Sequence, residues 1–212
     1  MNAKKNRIGL VVMLLAMCLA TQAFTCNTAA VEKWIEIVLQ GVETVGPLIS
    51  PLVGSIASLA GKTLTTAQVN AINGKLTLAS ADLSAMDVAL MAVSGSPDQT
   101  TLGKLDSLEA SVSSNLNDAL LQANGIKDQA TQTTIVNSVQ ALIATAQEIQ
   151  ALIPASVTPG QPPAMRNRLT PTDLKSISNK LKSKAIKAAF NAAIKPTGNP
   201  IVDAAFAPAR AN

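Results

Sequence analysis

The stretch that decides the fold is Thr65–Val93, TTAQVNAINGKLTLASADLSAMDVALMAV. Within it Val69, Ile72, Leu76, Ala79, Leu83, Met86, Leu90 and Val93 step by 3, 4, 3, 4, 3, 4 and 3 residues. At 3.6 residues per turn this spacing lays the apolar side chains along one stripe. Such a stripe is the coiled-coil-like seam of a helix running nearly parallel or antiparallel to its neighbours. A strand would need sustained period-two alternation, and none lasts here. Thr65 and Gln68 stand ahead of the stripe as a capping box.

The same pattern continues on both sides. Ile135, Val139, Leu142, Ala146, Ile149 and Ile153 step by 4, 3, 4, 3 and 4. Residues 98–124 carry a looser stripe of Leu102, Leu105, Leu108, Val112, Leu116, Leu120 and Ala123. Residues 29–60 carry Val31, Trp34, Val38, Val42, Val45, Ile49, Leu52, Ile56 and Leu59, with Pro47 and Pro51 expected to kink or split that helix. Gly61, Gly95 and Gly125 each follow an apolar segment, where a left-handed residue is wanted. Ser96-Pro97-Asp98-Gln99 reads as another capping box, with proline at the first helical position. Short connections near 61–65, 95–97 and 125–128 make successive helices antiparallel neighbours. The expected fold class is all-α: an up-and-down antiparallel bundle of about four long helices over residues 24–153.

Pro154, Pro159, Gly160, Pro162, Pro163 and Pro171 mark residues 154–171 as an extended linker. Thr170-Pro171-Thr172-Asp173 then opens a basic amphipathic helix over 172–195. Its Leu174, Ile177, Leu181, Ala185, Ala188 and Ala192 share one face, and Ile186, Phe190 and Ile194 form a second apolar patch. Residues 196–212 read as a loose tail in which Ile201, Val202 and Phe206 are the residues able to dock.

The amino terminus reads as an export signal over residues 1–23. Lys4, Lys5 and Arg7 precede the apolar run Ile8–Ala20, and Thr21-Gln22-Ala23 supplies small residues where a signal peptidase cuts. The run holds 13 residues, against the roughly 20 that span a bilayer, so a cleaved signal is favoured over a retained anchor. The expected location is the periplasm, the cell surface or the extracellular space. Two cysteines, Cys18 and Cys26, exclude a disulfide framework in the mature chain. Both sit in weak lipobox contexts. Ordinary cleavage at Ala23 would leave Cys26 near the new terminus, and lipidation or an intermolecular disulfide at Cys26 is the alternative.

The net charge of +4 describes the precursor. Three of the 17 basic residues lie in the signal, which leaves the rest of the chain at +1. Residues 24–165 carry −6 and residues 166–195 carry +7, so an acidic body is followed by a basic segment. This balance, with no aromatic interleaving, argues against a nucleic-acid partner.

There is no histidine, which excludes Ser-His-Asp, Cys-His and Glu-x-x-His chemistry within the chain. No catalytic residue, cofactor or metal is expected. Glu32, Glu36 and Glu43 fall on one stripe of the first helix and read as a solvated acidic face rather than a cation site. Trp34 sits in the apolar register as a packed residue, with a partner anchor as the alternative. The uncharged stretch Thr44–Gly61 reads as a buried helix, with a membrane-seeking segment as the alternative. Lys175, Lys180, Lys182, Lys184 and Lys187 flank the apolar stripe of the last helix. Such flanks suit an anionic membrane surface, or docking on the chain's own acidic bundle, which is favoured.

The expected function is that of an exported, non-enzymatic binding or structural protein. Its partner would be an unidentified protein or envelope component, with self-association open. The alternative is a membrane-active, pore-forming helical protein.

Overall fold

The computed structural model describes residues 28–93, 98–155, 164–165 and 171–210. The signal segment, Cys18, Cys26, Gly95, Ser96, Pro97 and most of the Pro-rich linker lie outside them. The four periodic segments are helices: α1 (Thr28–Ala57), α2 (Thr66–Met91), α3 (Gln99–Asn124) and α4 (Gln129–Leu152). Three shorter helices follow: α5 (Pro171–Lys180), α6 (Ser183–Ala193) and α7 (Pro200–Arg210). Helix α1 packs on α2, α4, α6 and α7, while α2 packs on α3 and α3 on α4. The sense of the α2/α3 pair follows from its cross-links. Lys75 meets Asp118 and Asp82 meets Ser111, so the numbers fall in one helix as they rise in the other.

The α2 seam is buried from Val69 to Leu90, and the α4 seam from Ile135 to Ile153. Each aliphatic side chain fully withdrawn from water contributes about 1.5–3 kcal/mol, most of it offset by the conformational entropy lost on ordering. The looser α3 segment is regular after all. Its buried positions are Leu102, Leu105, Glu109, Val112, Leu116, Ala119 and Ala123, a strict 3-4 stepping in which one inward position is a carboxylate. Leu108 and Leu120 are only partly buried.

Helix starts and stops are set locally. Thr65 caps α2 with both hydrogen bonds of a capping box. Asp98 caps α3 by accepting from the Thr101 amide at 2.7 Å. Asp128 caps α4 in the same way at 2.8 Å from Thr131 N. Gly61 adopts a positive φ of 71°, as a left-handed stop requires. Gly125 ends α3 with φ −83°, so its turn needs no left-handed residue.

Four further expectations change. Pro47 and Pro51 do not split α1, which runs unbroken from Thr28 to Ala57. Proline removes an i−4 bond, but Pro47 is exposed and Pro51 only half-buried, so the carbonyls left unbonded face towards water. The linker contains a two-residue antiparallel pairing, β1 (Pro154–Ala155) with β2 (Ala164–Met165).

The basic helix is broken, because Leu181 and Lys182 separate α5 from α6 and Lys182 is extended at φ −61°, ψ 134°. In one continuous helix Ile186 would lie about 140° from Leu181. The extended residue absorbs that angle, so Ile177 and Leu181 are buried first and Ile186, Phe190 and Ile194 after them. Ala188 and Ala192 of the predicted stripe are exposed.

The tail is not loose. Asn199 Oδ1 accepts from Ile201 N and Val202 N at 3.0 and 3.4 Å, and Pro200 takes the first position of α7. Val202, Phe206 and Ala209 are fully buried. Arg210 Nε donates to the Ile194 carbonyl, tying the end of α7 to the end of α6.

Candidate functional site

Trp34 is 4% exposed, and its indole N–H donates to the carbonyl of Leu152. The only tryptophan of the chain therefore closes the first helix on the fourth, as a packed residue of the core. The stretch Thr44–Gly61 is likewise spoken for: Val45, Leu48, Ile49, Leu52, Ile56 and Leu59 all lie in the core. By length and composition Lys33–Ala57 could cross a bilayer. In this fold its apolar faces are covered.

At Gly41 of α1, Leu181 of the C-terminal segment packs closely. A Cβ there would lie 3.1 Å from Ile149 Cγ1 of α4 and 3.3 Å from Leu181 Cδ2. Glu36 and Glu43 are exposed, and at 100° per residue they lie roughly 140–200° round α1 from Gly41. The basic segment thus does not settle on the acidic stripe. Among the described residues Lys180 pairs with Glu148 of α4, and the rest of the docking of α5 and α6 is apolar. Such an exposed pair contributes about 0–1 kcal/mol, so Ile177, Leu181, Ile186, Phe190 and Ile194 supply most of the docking energy.

Lys175, Lys182, Lys184 and Lys187 remain exposed, and no ion pair holds them among the described residues. Four of the five predicted lysines are therefore exposed along α5 and the first part of α6, with no ion pair among the described residues. The fifth is used internally.

Two surface clefts occur among the described residues. One, of about 330 Å³, lies between α1 and α2 and is lined by Val42, Glu43, Gly46, Pro47, Ser80, Leu83, Ser84 and Asp87. Asp87 Oδ1 is buried there without a hydrogen-bond partner. The other, of about 510 Å³, lies between the start of α4 and the α6–α7 connection, beside Thr133, Asn137 and Lys195. The first cleft holds the Ser80 and Ser84 hydroxyls beside the Glu43 and Asp87 carboxylates, and no group of three or more metal-ligating side chains occurs among the described residues.

Sequence reasoning missed Glu109, which is 2% exposed. Its Oε2 accepts from Gln150 Nε2 at 2.6 Å and its Oε1 from Ser113 Oγ at 3.1 Å. The signal was present: strict 3-4 stepping from Leu105 to Val112 passes through residue 109, but an apolar reading prefers the neighbouring Leu108. The other buried hydroxyls of α4 are satisfied. Thr134 and Ser138 donate to the carbonyls of Ala130 and Thr134, and Thr131 donates to Thr63 Oγ1 at 2.8 Å.

Three carboxylates, the exposed Asp98 and the half-buried Asp128 and Asp203, are held below their ordinary pKa of 3.8. Asp98 is lowered first by the Thr101 backbone amide, Asp128 by the Thr131 hydroxyl and Asp203 by the Thr197 backbone amide. All three serve helix starts or the turn before α7, and their role is structural. No protein-family model matches the chain, and neither the curated proteins nor the solved structures contain a match to it.

Proposed function

We propose that this chain is an exported, non-enzymatic helical-bundle protein that acts by binding or structural association in the periplasm or at the cell surface. In this reading α1–α4 form a closed up-and-down antiparallel bundle, and α5–α7 are a C-terminal layer laid across α1 and α4. One observation carries it. The aliphatic core runs continuously through all seven described helices, while exposed lysines without an ion pair are concentrated on α5 and α6. A protein built this way presents surfaces rather than a reaction centre.

The experiment is to recover the protein from fractionated cells of its native host and determine its amino terminus by mass spectrometry. A terminus at Phe24 in the envelope or medium supports export. Intact protein beginning at Met1 and confined to the cytoplasm refutes it. A lipid mass on Cys26 would establish attachment at that residue.

A second reading, a membrane-active protein, is favoured by α1 alone, whose Lys33–Ala57 stretch suits a bilayer by composition. It requires α1 to leave α2, α4, α6 and α7 together. Release of a trapped dye from vesicles would support it.

A further inference from the structure

We infer that the outward face of α5 and α6 is an electrostatic docking surface for an anionic lipid bilayer, engaged without insertion of any helix. This inference rests on the exported, surface-presenting reading above and names its partner.

The argument begins with what the two helices have already spent. A membrane-inserting amphipathic helix needs an apolar face free for the acyl chains. Here Ile177, Leu181, Ile186, Phe190 and Ile194 are all buried in the protein. What remains outside is Lys175, Lys182, Lys184 and Lys187, four exposed cations within thirteen residues. Between Leu174 and Val202 the chain contains no carboxylate. Asp173 stands in the first turn of α5, Glu148 is taken by Lys180, and Asp203 is taken by Thr197, Gly198 and Arg210. Compact, strongly hydrated ammonium groups on flexible stems suit a diffuse negative surface rather than a geometrically defined anion site.

The position of the face selects a bilayer over a soluble polyanion. Trp34 near the start of α1 is bonded to Leu152 at the end of α4. Lys180 pairs with Glu148 and Leu181 lies against Gly41 and Ile149, at that same end. From there α6 leads away along α4, until Ala192 and Ala193 meet Gln129–Asn137. The basic residues of α5 and of the start of α6 therefore gather at the end of the molecule where the chain enters α1. In the sequence Cys26, the alternative site of lipid attachment, stands two residues ahead of that entry. The exposed glutamates of α1 lie round the helix from this face, so a surface approached by the lysines does not meet them.

The test measures partition of the full chain onto phosphatidylcholine vesicles with and without phosphatidylglycerol. The quantity read is the ratio of the two. The comparison variant carries Lys175→Gln, Lys182→Gln, Lys184→Gln and Lys187→Gln. Each lysine near an anionic surface is worth about fivefold, so the wild-type ratio should exceed the variant's by roughly two orders of magnitude or more. The ratio should fall as salt shortens the Debye length from roughly 10 Å at 0.1 M to 3 Å at 1 M. Trp34 emission should not move on binding and no dye should escape, because α1 stays packed. The variant should melt with the wild type, since all four side chains are exposed.

A wild-type ratio near one overturns the inference. So does a variant as selective as the wild type, or dye release with a shifted Trp34 emission. Binding to soluble polyphosphate that vesicles cannot displace would assign the face to a polyanion instead. Cytoplasmic confinement of the native protein would refute export without altering the vesicle ratio, so the two failures are separable.

Discussion

Phe206→Ala is the sharpest probe of how the C-terminal layer is held. Phe206 is 0% exposed and sits with Val202 and Ala209 on the buried side of α7, which packs against α1. Truncating a buried phenylalanine removes its transfer energy and leaves a cavity that neighbours fill incompletely, at a cost of about 3–5 kcal/mol. For a chain of this size each kcal/mol corresponds to about 2–4 °C in Tm, so the midpoint should drop by roughly 6–20 °C. Arg210 still bonds the Ile194 carbonyl in the variant, which keeps α7 near its seat. If α7 nevertheless comes off alone, the loss is limited to its docking energy and the melt acquires an early shoulder. The assay is thermal unfolding followed in parallel by far-UV circular dichroism and by emission of Trp34, the sole tryptophan. Ile201→Ala on the same helix is the control: Ile201 is 45% exposed and its loss should stay within about 0.5 kcal/mol. If Phe206→Ala melts within a degree or two of wild type, or Ile201→Ala costs as much, α7 is not docked as described.

Leu83→Asp or Leu142→Asp should each cost several kcal/mol by placing an unpaired carboxylate in the seam, and a near-wild-type melting point for either would sink the seam assignment. Glu109→Ala should cost about 1–3 kcal/mol in chemical denaturation, because Gln150 and Ser113 lose their acceptor; an unchanged midpoint would mean the carboxylate is dispensable. Gly41→Ala should lower the midpoint, since the new methyl meets Ile149 at 3.1 Å, whereas Gly54→Ala, with nothing within 4 Å, should raise it by about 0.5–1 kcal/mol of helix propensity. The reverse order would contradict the packing at Gly41. Asp98, Asp128 and Asp203 have depressed pKa values when folded, so they stabilise the fold above the ordinary 3.8, and that contribution is lost as the pH falls through their lower folded values. The triple Asn variant should therefore show a smaller loss of stability on acidification below pH 3.8 than the wild type; parallel acid profiles would remove these groups from the account.

The helical character and the inward stripes of α2 and α4 were legible because nothing competes with a 3-4 repeat of aliphatic residues. The α3 stripe was legible in period but not in identity, because a buried Glu109 satisfied by Ser113 and Gln150 looks like a surface residue until its partners are known. The break at Lys182 has no glycine or proline to announce it. It exists because Ile186, Phe190 and Ile194 bury more than Ala185, Ala188 and Ala192 would, a tertiary preference that local propensity does not encode. Helix α7 carries a local signal: Asn199-Pro200 is a helix start, and Thr197 and Gly198 donate to Asp203 just inside it. Of the site, the lysines were visible as a pattern. Their separation from the acidic stripe needed the position of Gly41.

The way α1 is covered has a consequence for how the chain is made. Trp34 and Leu152 are 118 residues apart, and the last cover over α1, helix α7, begins only at Pro200. At about 5–20 residues per second, roughly 7–30 s separate the emergence of the end of α1 from that of α7. Among the described helices, the one with the most bilayer-like composition is thus synthesised first and sheltered last. Contacts of such long sequence separation form slowly, since the loop must close before they can reward it. Any chaperone or translocation factor that reads nascent apolar segments meets α1 early and holds it long, before the chain can bury it.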